Sequence, residues 1–234
     1  MTPRLHTVVA GAGDPPILFI HGMGTSSSSW TRCLELLAPL HRVCAVDLLG
    51  HGASPVPDDR GEYTRDRALI DLDEVIADPV TGLGTHPVLV GHSLGGYLAL
   101  AHAATRPGIA RAIIVLNTGP GFRNPERREA WNERSRRNAH RFGVPPQVAD
   151  LNLQADSVVI DRLAEITVPV LVLVGGDDRP DYATSGEYLE RSMPDARCEV
   201  IAGGGHSMHE DTHAEHIARR IHEFVAPLAT HFDG

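Results

Sequence analysis

Lysine is missing from this chain, and all 21 basic residues are arginine. Without a side-chain primary amine, a Schiff base with a carbonyl substrate, a pyridoxal phosphate anchor and a phosphate-loop lysine are all excluded. Cysteine is scarce. Cys33, Cys44 and Cys198 are odd in number and far apart, which argues against a disulfide framework or a cysteine-rich zinc site and leaves them as small buried hydrophobes. No apolar run approaches the roughly 20 residues that cross a bilayer. The opening MTPRLHTVVAGAGD lacks the charged-then-apolar pattern of a secretory signal. Positive charge is also short, since the formal net charge is −9, which disfavours nucleic acid and anionic membranes as partners. No Pro/Gly/Ser-rich linker or internal repeat divides the 234 residues. The expectation is one cytoplasmic domain spanning 1–234, as a monomer or a homodimer.

Short β-rich runs recur at Leu5 to Val9, Ile17 to Ile20, Val43 to Val46, Val88 to Val90, Ala112 to Leu116, Val168 to Val174 and Cys198 to Ile201. Helical patterns separate most of them, clearest at Trp30 to Leu40, Thr64 to Ile76, the segment after Ser93, and His213 to Val225. Near-continuous apolar strands alternating with helices predict an α/β fold, a mostly parallel, doubly wound sheet covered on both faces. Sites in such sheets form at the C-terminal ends of strands. The stretch 121–165 breaks the rhythm and reads as a short helical lid insertion. Asn124 and Pro125 make a cap and a first helical position, and Gly143 a stop, so a helix is predicted from Pro125 to Phe142. Its charge is dense: Arg123, Arg127, Arg128, Arg134, Arg136, Arg137 and Arg141 alternate with Glu126, Glu129 and Glu133. Most of that charge is expected to be solvated, with Glu and Arg pairing at i to i+4. The functional alternative is a cationic roof that favours anionic substrates.

The most informative segment runs from Pro87-Val88-Leu89-Val90 into GHSLG and a small, apolar helix. Strand, sharp turn and helix put Ser93 at an apex whose strained backbone leaves room only for small neighbours such as Gly91 and Gly95. The hydroxyl then stands clear of the sheet, and the N–H of Leu94 points at whatever it attacks. A serine hydroxyl is a poor nucleophile alone and needs an imidazole oriented by a carboxylate. Both follow in the order Ser, Asp, His. Gly175-Gly176-Asp177-Asp178 places two carboxylates after an apolar strand, and Ala202-Gly203-Gly204-Gly205 delivers His206 as the base. Ile17 to Ile20 runs into His21-Gly22-Met23-Gly24, whose Met23 N–H is the second candidate oxyanion donor, with His21 bracing the loop. Trp30, Trp131, Arg127 and Arg134 are candidates for the substrate pocket or its lid.

With HGMG, DLLGHGAS from Asp47 to Ser54, GHSLGG, VGGDD and GGGH in this order, the sequence resembles the α/β-hydrolase fold superfamily over almost its whole length. The resemblance implies Ser93 as nucleophile, His206 as base and the N–H groups of Met23 and Leu94 as oxyanion donors. It implies Asp178 as the acid, because the family's acid usually lies three residues after the loop glycine, here Gly175; Asp177 is the alternative. Two departures stand out, a brief N-terminal segment, implying that the usual first strand is missing, and a lid shorter than many relatives carry.

The activity expected is that of a metal-independent, cofactor-free serine hydrolase acting on a small carboxylic ester, thioester or lactone. Carbon–carbon bond hydrolysis, lyase chemistry on the same triad and a non-enzymatic small-molecule receptor are the alternatives. His92 and His51 read as structural, and Asp47 as an anchor for its own loop. One other motif competes, His209-Glu210-Asp211-Thr212-His213, which matches the H-E-x-x-H pattern of zinc metallopeptidases. Zinc binding would need both histidines one turn apart in a helix. Thr212 and Glu215 instead form a capping-box pair that starts the helix near His213 and leaves His209 outside it.

Overall fold

The computed structural model describes residues 5–210 and 213–230. Its centre is a seven-stranded sheet in the order β1-β3-β2-β4-β5-β6-β7. The strands are β1 (Thr7–Ala10), β2 (Ile17–Ile20), β3 (Val43–Val46), β4 (Val88–His92), β5 (Ala112–Leu116), β6 (Val170–Gly175) and β7 (Ala196–Ile201). Only β1 runs antiparallel, pairing Thr7 with Val46. Strands β2 to β6 are buried along both faces apart from the ends of the sheet, which is why they read as unbroken apolar runs and not as alternating ones.

Among the described residues seven α-helices connect them: α1 (Thr31–Leu37), α2 (Arg65–Ala77), α3 (Leu94–Thr105), α4 (Pro125–Arg137), α5 (Val158–Asp161), α6 (Pro180–Ser192) and α7 (Ala214–Val225). Side-chain alternation along β2 sends Leu18 and Ile20 to one face, with Leu69 and Leu72 of α2, Leu98 of α3 and Leu189 of α6. Ile17 and Phe19 point to the other face, with Leu34 and Leu37 of α1 and Ile217 and Ile221 of α7. Thr64 caps α2 by accepting the Arg67 N–H at 3.2 Å. Cys33 and Cys44 are buried and Cys198 is half-buried, all as free thiols.

Several elements differ from the sequence reading. The α4 helix begins as expected, with Asn124 accepting the Arg127 N–H at 2.9 Å, but it ends at Arg137. A separate 3-10 turn, Ala139–Phe142, carries the chain to Gly143, whose φ of 66° is the left-handed stop that glycine provides. The Glu–Arg pair found on α4 is Glu129–Arg136 at 2.9 Å, seven residues apart and not four. Helix α6 was absent from the sequence reading. At the other end, α7 starts at Ala214 with His213 at its cap and no side-chain cap bond. The expected Thr212 cap lies outside the described residues, and Glu215 pairs with Arg32 at 2.8 Å.

Candidate active site

The turn between β4 and α3 is held in a conformation that L-residues rarely adopt. Ser93 has φ 51° and ψ −112°, a strained setting that persists only where the surroundings enforce it. They do so from both sides. The Ser93 N–H donates to Leu116 O at 2.9 Å, and its carbonyl accepts the Thr118 hydroxyl at 2.7 Å. The flanking glycines answer to close approach, since a Cβ on Gly91 would lie 2.3 Å from Gly95 O and one on Gly95 would lie 2.1 Å from Ile20 O. Leu94 is the first residue of α3, so its N–H has no acceptor within the helix.

Strand β6 ends in the acidic loop. Asp178 Oδ2 meets His206 Nδ1 at 2.7 Å, with the Asp178 side chain only 5% exposed and His206 41% exposed. Asp178 Oδ1 accepts the Arg179 N–H at 2.7 Å. Asp177 is exposed and uses its N–H on Gly204 O at 2.9 Å; the carboxylate that reaches the imidazole is that of Asp178. A carboxylate on Nδ1 favours the tautomer protonated there and leaves Nε2 as an acceptor. Beneath the ring, the His206 carbonyl accepts His92 Nε2–H at 2.8 Å and Asn117 Nδ2–H at 2.8 Å. Asn117 also accepts the Gly175 N–H at 2.8 Å, so this fully buried residue, itself at φ 47°, ties the acid's strand to the base's loop. No hydrogen bond joins the Ser93 hydroxyl to His206 among the described residues. Tyr182 borders the same site, its ring tilted against the His206 ring with the centroids 5.0 Å apart. Burial, with the Asp178 charge adding to it, pushes the Tyr182 pKa up. The phenol therefore stays protonated and able to donate.

The loop after β2 lies directly against the serine turn. A Cβ on Gly22 would sit 2.8 Å from His92 Nδ1 and 3.4 Å from Ser93 Cβ, so the Met23 backbone follows within a residue of the apex. His21 braces this loop. Its Nδ1 bonds Gly22 O at 2.7 Å and its Nε2 accepts the Leu48 N–H at 3.0 Å; burial lowers its pKa to about 4, which keeps the ring neutral. His51 supports the same loop, with Nε2 accepting the Gly24 N–H at 3.2 Å. Asp47 accepts the N–H groups of Ser27 at 2.6 Å and Ala53 at 2.9 Å, anchoring two loops at once.

One expectation is overturned. Trp30 does not line a pocket. The 3-10 turn Ser27–Trp30 directs its ring into the lower core, 0% exposed, where it lies 5.0 Å from Phe19 and 4.2 Å from His209. The zinc-type pattern, disfavoured by the sequence, does not bring its two histidines together. His209 sits in a turn ahead of α7, fully buried between Trp30 and His92, and His213 turns toward Ala202 O at 3.2 Å, so the pair does not share a helical turn. Among the described residues no group of three or more His, Cys, Asp or Glu side chains is arranged to hold a metal ion. No helix among them is long and apolar enough to cross a membrane.

Above Ser93 opens a cavity of about 530 Å³, within the range of small-molecule sites. Its lining includes Ser93, Leu94 and Tyr97, together with Tyr182 and Arg179. The 121–165 segment contributes Phe122, Arg127, Trp131, Arg134 and Gln154. Arg127, Trp131 and Arg134 thus meet the cavity as the sequence suggested. Tyr182, Arg179 and Asn117 were missed. Asn117 is the one that left a signal, a polar residue directly after the apolar strand Ala112–Leu116.

The alpha/beta hydrolase family model matches residues 17–219 of the chain. A pimeloyl-[acyl-carrier protein] methyl ester esterase of Yersinia pseudotuberculosis is 27% identical over 202 residues, covering 86% of this chain and 69% of the relative. Among solved structures, a thermophilic esterase from Thermogutta terrifontis with malate bound superposes with a TM-score of 0.80 at 26% identity, over 97% of this chain and 94% of that one. MenH from S. aureus shares the fold with a TM-score of 0.79 at 20% identity, over 97% and 99% of the two chains.

Proposed function

The chain belongs to the alpha/beta hydrolase family, and from that premise we propose that it is a metal-independent serine hydrolase that cleaves a small carboxylic ester through an acyl-enzyme. Thioesters and lactones present the same carbonyl to the same groups. The observation that carries the reading is the 2.7 Å contact between His206 Nδ1 and the buried Asp178 carboxylate, beside a serine held at a strained strand-to-helix apex. Relatives named as esterases support it.

In this mechanism the Ser93 hydroxyl oxygen attacks the ester carbonyl carbon while its proton passes to His206 Nε2. Asp178 holds the imidazole in the required tautomer and stabilises the cation that forms. The oxyanion of the tetrahedral intermediate accepts the N–H groups of Met23 and Leu94, donors fixed before the charge develops. Collapse expels the alcohol, which takes the proton from His206. Water then attacks the acyl-serine, His206 removing its proton, and release of the acid restores the Ser93 hydroxyl. The reading requires His206 Nε2 to reach Ser93 Oγ; hydrogen bonds of this kind tighten as substrate fills the site. Burial of the Tyr182 ring against the imidazole limits the directions in which His206 can turn.

The test is turnover of 4-nitrophenyl butyrate by the wild type, Ser93→Ala and His206→Ala. Wild-type release of nitrophenol with a loss of about a thousandfold or more in both variants is expected. Full activity in Ser93→Ala would overturn the reading, and ligand binding with no turnover by the wild type would favour a receptor.

A further inference from the structure

One face of α4 differs from the rest of the helix. Arg127, Ala130, Trp131 and Arg134 all line the cavity, and their spacing of i, i+3, i+4 and i+7 puts them on a single stripe. Elsewhere on the helix Arg136 pairs with Glu129 at 2.9 Å, and Arg123, just ahead of it, pairs with Asp161 at 2.6 Å. Among the ion pairs of the described residues, none involves Arg127 or Arg134. The Arg134 guanidinium sits over the Trp131 ring, 5.0 Å from its centroid, a cation–π contact that holds it at the cavity wall. Arg179 adds a third guanidinium to the lining, and its partner Asp181, at 2.9 Å, is the sole carboxylate there. A protein of net charge −9 therefore presents an excess of positive charge over its candidate nucleophile, and a cleft with low-dielectric walls concentrates that field.

We propose that the cavity is a carboxylate-binding subsite, and that the natural substrate is an ester carrying a free carboxylate remote from the scissile bond. This rests on the hydrolase reading and deepens it. Arg127 and Arg134 approach the carboxylate from above, and Trp131 with Phe122 covers the apolar chain that separates it from the ester. Cleavage then yields a dicarboxylic acid when the carboxylate lies on the acyl side, or a hydroxy acid when it lies on the alcohol side; in either case water supplies the oxygen and both protons. A phosphate on the ligand would meet the same guanidinium groups, and phenyl phosphate as a competitor separates the two anions.

The experiment compares monomethyl adipate with dimethyl adipate at low and high salt in the wild type, in Arg127→Ala/Arg134→Ala and in the charge-retaining Arg127→Lys/Arg134→Lys. The expected ratio of kcat/KM, monoester over diester, is at least tenfold in favour of the monoester at low salt. It shrinks in 0.5 M salt, falls at least tenfold in the alanine variant and is largely kept in the lysine variant. A wild type that hydrolyses both esters but prefers the diester, or a ratio that survives loss of the arginines, overturns the subsite while leaving the hydrolase reading intact. Tighter competition by phenyl phosphate than by benzoate also overturns the carboxylate assignment. If no ester is turned over, the hydrolase reading falls by itself, and calorimetry of adipate with Ser93→Ala decides the subsite. Saturable binding weakened at least tenfold by the arginine substitutions supports it, and no saturable binding overturns it.

Discussion

Asn117 Nδ2 donates to the carbonyl oxygen of His206 at 2.8 Å. The contact crosses from the end of β5 to the loop after β7 and fixes the backbone from which the imidazole hangs. Because Asn117 sits at φ 47°, glycine is the substitution that keeps the backbone conformation while removing the bonds. Asn117→Gly is expected to lower kcat by roughly 10- to 100-fold, the cost of a misplaced catalytic group, with little change in KM. Steady-state kinetics on a neutral ester measure both, and an equal rise in KM would assign Asn117 to substrate binding instead.

Three buried histidines make the fold sensitive to acid. Burial lowers the pKa of His21 to about 4 and of His209 to about 3, and holds His92 well below its ordinary value. Each binds a proton in the unfolded chain near pH 6.5 and resists one in the fold, so the unfolded state binds more protons across that interval and stability falls as pH drops from about 6.5 toward 4. His21 and His209 each cost on the order of 2 kcal/mol by pH 4.5. The His209 side chain packs against the Trp30 and His92 rings, and among the described residues neither of its nitrogens has a hydrogen-bond partner. In His209→Leu the fall in melting temperature between pH 6.5 and 4.5 should be visibly smaller than in the wild type; parallel curves would contradict this.

The 121–165 segment is pinned to α2 by a two-pronged ion pair. Arg65 Nη1 donates to Asp156 Oδ1 at 2.6 Å and Nη2 to Oδ2 at 3.0 Å. The Arg65 hydrogen bond holds the Asp156 carboxyl below the usual range, so its contribution is present above about pH 4 and fades as the pH falls below it. With the Asp156 side chain 44% exposed, screening reduces the pair to about 1 kcal/mol. Asp156→Ala is expected to lower the melting temperature by a few degrees at neutral pH and to speed hydrogen exchange in residues 148–157. An unchanged exchange rate there would show that the hydrophobic contacts of Val148, Leu151 and Val159 suffice.

The glycine next to the apex tolerates no side chain. In Gly95→Ala the added Cβ would meet Ile20 O at 2.1 Å, a backbone atom of the central sheet that cannot step aside. Overpacking of this kind costs about 1–3 kcal/mol or more, so a drop in melting temperature of roughly 5–10 °C is expected. A near-native melting curve would mean that the turn relaxes more easily than its packing implies.

These outcomes show which parts of the molecule the chain announces. The strand-turn-helix around Ser93 was legible because every requirement is local: an apolar strand, small residues at 91 and 95, and helical spacing after 94. The parallel sheet was legible because burial on both faces removes polar residues from its strands. Contacts made across strand order were not. Asn117 and Tyr182 reach His206 only because β5, β6 and β7 lie side by side, and no spacing in the sequence encodes that adjacency. Helix α6 was hidden by Gly186, a weak helix former, which is there because a Cβ would lie 2.7 Å from both Cys198 Sγ and Val174 Cγ2 where helix meets sheet. Trp30 was misplaced because position near a site loop does not say which way a ring turns; the 3-10 turn sent it into the core. Between Asp177 and Asp178 spacing alone left the acid open, and the bend after Gly175 directs the second of them at the imidazole.

The most direct measurement is mass-spectrometric mapping of a fluorophosphonate probe on the folded protein, with the labelling rate followed in the wild type, His206→Ala and Asp178→Asn. One phosphonyl group on the peptide containing Ser93, with labelling at least a hundredfold slower in His206→Ala and clearly slower in Asp178→Asn, is the result expected here. Absence of label at Ser93, or labelling there that ignores both substitutions, would contradict the central claim.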